Sequence, residues 1–308
     1  MLALLLAAAQ VDVPAVVGHC RFDIAALTFA GSPGDQARCL MQLVGKRGAL
    51  TGPLRRLPRG LAEVLDRGRP LPDRTRVAAL LDAAGIDIGG LGEPVSRARD
   101  GDPTAPLARY FVIHDTSTPY YGDEPFPANV DRDPKVNDFA PYFPAGADPE
   151  KYPVAHVFLD RLGMVRIGQS LSRPWRATKL ESRVIGLPAK GLFLHVETVM
   201  PRRRDPAIAG SNDAIAPKPG FSKAQYDRLA LLYIALSVRA GQWLIPAQHA
   251  TIDHGLPQAH DDPQNFHLKD FDRALRRHLG ALGQARRWSG REDSNLRPLP
   301  PEDSALPG

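Results

Sequence analysis

The chain has only two cysteines in 308 residues, Cys20 and Cys39. An oxidising compartment would let them close one short loop as a disulfide, and two separate buried thiols are the alternative. It also lacks a basic tract interleaved with aromatics. Arg202-Arg203-Arg204 is too short to count and reads as a solvated loop, so nucleic acid is not expected as a partner. The apolar start, Met1-Leu2-Ala3-Leu4-Leu5-Leu6-Ala7-Ala8-Ala9, falls short of the roughly 20 apolar residues that span a bilayer. Stable membrane insertion is therefore not expected. No basic stretch precedes that start, but its apolar core and small residues resemble a secretory signal. The expectation is a signal-like segment over 1–18 and a periplasmic or secreted protein.

What is present is the balance of an ordinary globular chain, with 43% hydrophobic and 24% charged residues. The length suits one large domain or two of ordinary size. Thirty prolines fall mostly outside the apolar segments and imply long loops. A formal net charge of +5 favours an acidic partner surface, such as an anionic cell-wall polymer. A monomer is expected.

Residues 19–100 alternate short amphipathic helical patterns with Pro and Gly breaks: Asp35–Val44, Leu61–Leu65 and Thr75–Ala84, the last stopped by Gly85. This reads as a small helical region without chemistry of its own. Glu93 to Pro106, rich in Gly, Asp and Pro, is the linker candidate. The β-branched and aromatic run Arg109–His114 then predicts a buried strand. A polar insertion from Pro119 to Tyr152 follows, long enough to be functional or disordered. Val154–Leu159 and Met164–Ile167 predict two strands joined by an Asp160–Gly163 turn, and Gly191–Val199 a further one. Ser222 is a good N-cap for a core helix with Tyr226, Leu229, Leu232, Tyr233 and Leu236 at helical spacing, closed by Gly241. A last amphipathic helix is predicted over about 269–282. From Trp288 the composition turns polar, and 286–308 is expected to be a disordered tail. The fold class is α/β in the α+β sense, a mixed central sheet flanked by helices.

The densest chemistry lies late. From Gln248 to Asp262 the chain holds three histidines and three aspartates: His249, His254, His260, Asp253, Asp261 and Asp262. Zinc takes imidazole nitrogen and carboxylate oxygen, and catalytic sites keep three protein ligands with a position open for water. Three features together resemble the zinc-dependent N-acetylmuramoyl-L-alanine amidases, the family that includes peptidoglycan recognition proteins and phage lysozyme-type amidases. They are Ile113-His114 at a strand end, His249 after the run Trp243-Leu244-Ile245-Pro246, and Asp262-Pro263-Gln264-Asn265-Phe266. The strand-turn-strand around Asp160-Arg161-Leu162-Gly163 fits as well. The resemblance covers roughly residues 105–285.

It implies Zn2+ as cofactor, held by His114, His249 and Asp262, with His254 competing with His249 for the second place. His249 is preferred because a strand would deliver it to the end of the sheet. It further implies Glu197 as the residue that takes a proton from water and returns it to the leaving amine. In many relatives a lysine stands two positions before the third ligand; here His260 stands there and would stabilise the oxyanion. His156 and Trp175 read as packing rather than binding, and His19, His195, His267 and His278 receive no role. The implied function is hydrolysis of the amide between N-acetylmuramic acid and L-alanine, in peptidoglycan or in muropeptides, with the 119–152 loop walling the groove. The alternative is a non-catalytic peptidoglycan-binding module on the same fold.

Overall fold

The computed structural model describes residues 16–99, 101–186, 190–207 and 214–292, with side chains of the last helix to Gly283. Most of the signal-like segment and residues 293–308 of the expected tail lie outside these, while 286–292, expected to be disordered, continue the last helix. The described chain opens with three two-residue strands, β1 (Val16–Val17), β2 (Phe22–Asp23) and β3 (Thr28–Phe29), paired antiparallel. Helices α1 (Pro33–Leu40), α2 (Arg59–Leu65) and α3 (Arg74–Ala83) follow close to the predicted places. The small sheet was not read from the sequence because two residues per strand leave no alternation to see. Cys20 and Cys39 are joined as a disulfide, tying the turn after β1 to α1.

Five strands make the central sheet: β4 (Tyr110–Asp115), β5 (Val157–Leu159), β6 (Val165–Ile167), β7 (Phe193–Thr198) and, after the short ribbon β8 (Arg203–Arg204) and β9 (Ala214–Ile215), β10 (Ile245–Gln248). Their order is β10-β4-β7-β5-β6. β10, β4, β7 and β5 run parallel, and β6 closes the edge antiparallel to β5. Every residue of β4 is buried, the pattern of a parallel strand covered on both faces. The β5–β6 turn forms as expected, with Asp160 Oδ1 accepting the N–H groups of Leu162 and Met164.

Helix α4 (Lys223–Ala240) begins at Ser222, whose hydroxyl accepts from Gln225 N–H while the Gln225 side chain accepts from Ser222 N–H. It ends on Gly241 in the left-handed conformation, φ +71°. Helix α5 (His249–Asp253) directly extends β10, and α6 (Leu268–Glu292) packs along α4. The N-terminal helices share this core: α1 lies against β10, α2 against α6 and α3 against α4. The stretch from Glu93 to Pro106, read as a linker, is packed down instead. Val95, Ser96 and Ala98 are buried, and Ser96 N–H donates to Leu171 O. What this arrangement positions is the carboxyl end of the parallel strands, where open α/β sheets hold their ligands.

Candidate metal centre

Parallel pairing places His114 of β4 directly beside Glu197 of β7. On the other side of β4, β10 runs into α5 and delivers His249. The loop before α6 brings in Asp262, whose Oδ2 is held by Asp115 N–H at 3.0 Å. The result is compact. His114 Nδ1 and His249 Nδ1 are 2.8 Å apart. His249 Nδ1 lies 3.1 Å from Asp262 Oδ1, and His114 Nδ1 lies 3.8 Å from both Asp262 Oδ2 and Glu197 Oε1. Both imidazoles and Asp262 are buried.

The far nitrogens of the two imidazoles are already engaged. His249 Nε2 is 2.8 Å from Asp253 Oδ2, and Asp253 is itself fixed by the N–H groups of Lys179 and Leu180. His114 Nε2 is 3.0 Å from His195 Nδ1. If each Nε2 carries the hydrogen, the two Nδ1 atoms face each other as bare lone pairs, which cannot hydrogen-bond to one another. A cation satisfies both, and Asp262 adds a carboxylate. Tetrahedral ligands at zinc distances stand roughly 3.3 Å apart, and the observed 2.8–3.8 Å brackets that value. Side chains of this type in this arrangement fit a zinc ion, so His114, His249 and Asp262 form a possible metal-binding group.

The electrostatics of the metal-free group point the same way. Burial opposes charge on His249, but Asp262 and the hydrogen bond to Asp253 outweigh it and push the imidazole up to about 10. His114 goes the other way, driven well below the ordinary histidine range by burial and then by His249. Burial, with the Asp262 charge added, pushes the Glu197 carboxyl well above its usual range. Asp262 is held low against its own burial by His249.

A cleft of about 790 Å³ opens over the group, with Glu197, His249, His260 and Asp262 in its lining. His260 stands at the mouth with its side chain 48% exposed, Nδ1 3.7 Å from Asp262 Oδ1 and ring edge-on to His249 at 4.4 Å. His254 turns away, its ring against His19 at 4.9 Å. The structure thus brings His249, not His254, to His114 and Asp262. His156 and Trp175 are buried and bonded to backbone carbonyls, Arg173 O and Val154 O, as packing residues would be. The long loop does not wall the cleft: no lining residue comes from 119–152. Its Tyr142 hydroxyl instead bonds Thr116, and its Asp131 pairs with buried Arg161. Arg47 and Arg176 to Lys179 are among the lining residues. Arg47 comes from the N-terminal region that sequence reading left without chemistry.

No family model matches the chain, and no curated protein matches it. Among solved structures it is similar to the crystal structure of a selenomethionine derivative of AmpD, at 19% identity and a TM-score of 0.33. The overlap covers 61% of this chain and 98% of that one.

Proposed function

We propose that the protein is a zinc-dependent hydrolase of an amide bond in peptidoglycan or muropeptides, the bond between N-acetylmuramic acid and L-alanine. The observation that carries this reading is the facing pair of imidazole Nδ1 atoms closed by Asp262, with the partly exposed carboxyl of Glu197 beside them. His114, His249 and Asp262 would hold the metal. A bound zinc ion supplies Lewis acidity and a water acidic enough to act as nucleophile near neutral pH.

Glu197 takes the proton of that water and returns it to the leaving amine. Its Oε2 is buried and has no hydrogen-bond partner among the described residues, so it is available for the transfer. His260, half-exposed at the mouth, is placed to donate a hydrogen bond to oxygen charge that develops on the carbonyl. Arg47, Arg176 and Lys179 along the cleft suit a substrate that carries peptide carboxylates.

The test pairs metal content with product analysis. Purified protein loaded with zinc should retain about one ion and free the stem peptide from muropeptides, read by mass spectrometry. Glu197→Ala should keep the ion and lose the reaction. A chain that retains zinc and binds muropeptides without releasing peptide would instead be the binding module of the same fold.

A further inference from the structure

His195 sits wholly buried two positions before Glu197 on β7, with its Nδ1 3.0 Å from His114 Nε2. Its Nε2 lies 3.2 Å from Glu181 Oε2, a close contact off the line of an ideal hydrogen bond. Glu181 is as buried as His195. Its Oε2 accepts the N–H groups of Ala177 and Thr178 and the Thr178 hydroxyl. Among the described residues, its ion-pair neighbour is His195. A carboxylate buried this deeply is costly unless positive charge compensates it, and a neutral imidazole brings none.

We propose that His195 and Glu181 are positioning residues that lock His114 in its Nε2–H form and so aim its Nδ1 at a metal. This rests on the reading of His114, His249 and Asp262 as metal ligands. The direction is set from the far end. The Glu181 carboxyl oxygen lies 3.2 Å from His195 Nε2 without hydrogen-bond geometry, and its lone pairs favour the tautomer with hydrogen on that nitrogen. In that tautomer His195 is bare at Nδ1 and accepts from His114 Nε2–H. That leaves the lone pair of His114 Nδ1 toward His249 and Asp262. In the reverse order His114 Nδ1 would carry hydrogen and be closed to a metal. A cation held by His114 at the head of this row would polarise both rings toward Glu181. His156 steadies the row: its Nδ1 accepts His195 N–H at 3.0 Å, and its ring stacks on His195 at 5.6 Å.

The experiment compares the full chain with His195→Phe, His195→Asn and Glu181→Gln. Zinc affinity is measured by competition with a chromophoric chelator, metal-free folding by thermal melts, and the His114 imidazole proton by nitrogen-resolved NMR. Loss of such a supporting partner costs typically 10- to 100-fold in metal affinity. His195→Phe should fall in that range and lose the His114 Nε2–H signal. His195→Asn, whose carboxamide oxygen can stand near the former Nδ1, should recover most of the affinity. Glu181→Gln should lie between. His195→Phe binding zinc like the parent overturns the inference, and so does His195→Asn binding as weakly as His195→Phe at equal melting temperature. If His195→Phe does not fold, Glu181→Gln decides: unchanged affinity and an unchanged His114 signal overturn the inference. A parent chain that binds no zinc overturns the metal reading itself, which separates the two failures.

Discussion

His114 and His249 offer the same atom to the same place from neighbouring strands, yet they are supported in opposite ways. His249 leans directly on a carboxylate, Asp253, 2.8 Å behind it. His114 leans on a second imidazole, His195, and a carboxylate comes only one ring further back. The metal-free consequences diverge: the first ring is pushed up to about 10 and the second well below the ordinary range. One ring is built to hold a positive charge and the other to stay bare, and together they ask for a single cation. Two equivalent strong bases would repel each other once charged, and two bare rings would leave the cleft without a reason to attract metal.

The largest test of that division removes the ligands. His114→Ala or Asp262→Ala should abolish both zinc retention and peptide release. Glu197→Ala should leave zinc content at the parent level while activity drops by roughly 10²–10⁴, the usual scale for a lost proton-transfer group. Metal analysis beside product mass spectrometry reads all three. Equal zinc content in all three variants would sink the assignment of ligands.

How much of this was open to reading from residues alone follows the range of the interactions. β4 was legible because Tyr110 to Ile113 are apolar without interruption, and α4 because Ser222 and Gly241 mark its ends. The placement of His114, Glu197, His249 and Asp262 followed from motif order, since each sits next to a recognisable strand, run or Asp-Pro pair. Their supports were invisible for a physical reason. Glu181 lies in a π-helical turn and meets His195 only because β7 packs beside it. Asp253 was noticed as a neighbour of His249, but its role depends on a one-turn helix too short to predict. Arg47 reaches the cleft from a left-handed backbone position, φ +57°, in a stretch with no periodicity. The polar 119–152 loop was read as a wall because it is long, yet its polar groups are engaged with Thr116 and Arg161 instead.

The next test acts on the His249 arm alone. Asp253→Asn keeps the shape but removes the charge behind His249, and it should weaken zinc by 10- to 100-fold. In the metal-free chain it should also bring the His249 titration down from about 10, seen by imidazole NMR. A drop in zinc affinity without any change in that titration would mean that Asp253 acts by holding the 179–180 turn, not by supporting the ring.

A smaller effect should appear in the pH dependence of stability. The folded metal-free value for His249 is raised above its unfolded value of about 6.5, so its contribution is complete below that pH. It is lost as pH climbs toward 10, at about 1.4 kcal/mol per pH unit. Zinc needs the same Nδ1 bare, so its binding releases at least one proton and strengthens over that range. Melting curves of metal-free and zinc-loaded protein should therefore draw apart as pH rises from 6.5 to 9. His156, pushed down to about 3 by burial, adds an acid-side loss common to both forms. Below about 6.5 the unfolded chain takes up a proton that folded His156 refuses, so both forms weaken together. Curves that stay parallel on the alkaline side would show that His249 carries no displaceable proton.

The smallest expected effect separates the two histidines that the sequence left in competition. His254 directly follows α5, with its ring against His19, the neighbour of disulfide-bonded Cys20. It donates nothing to the centre, so His254→Ala should leave zinc stoichiometry, affinity and peptide release at parent levels. Its cost should be that of losing one exposed ring contact, within about 0.5 kcal/mol of the parent in a denaturant melt. His249→Ala, five positions earlier at the start of α5, should lose the metal outright. A His254 variant that sheds zinc would reverse the assignment, because it would require α5 to turn its C-terminal end, not its first residue, toward His114.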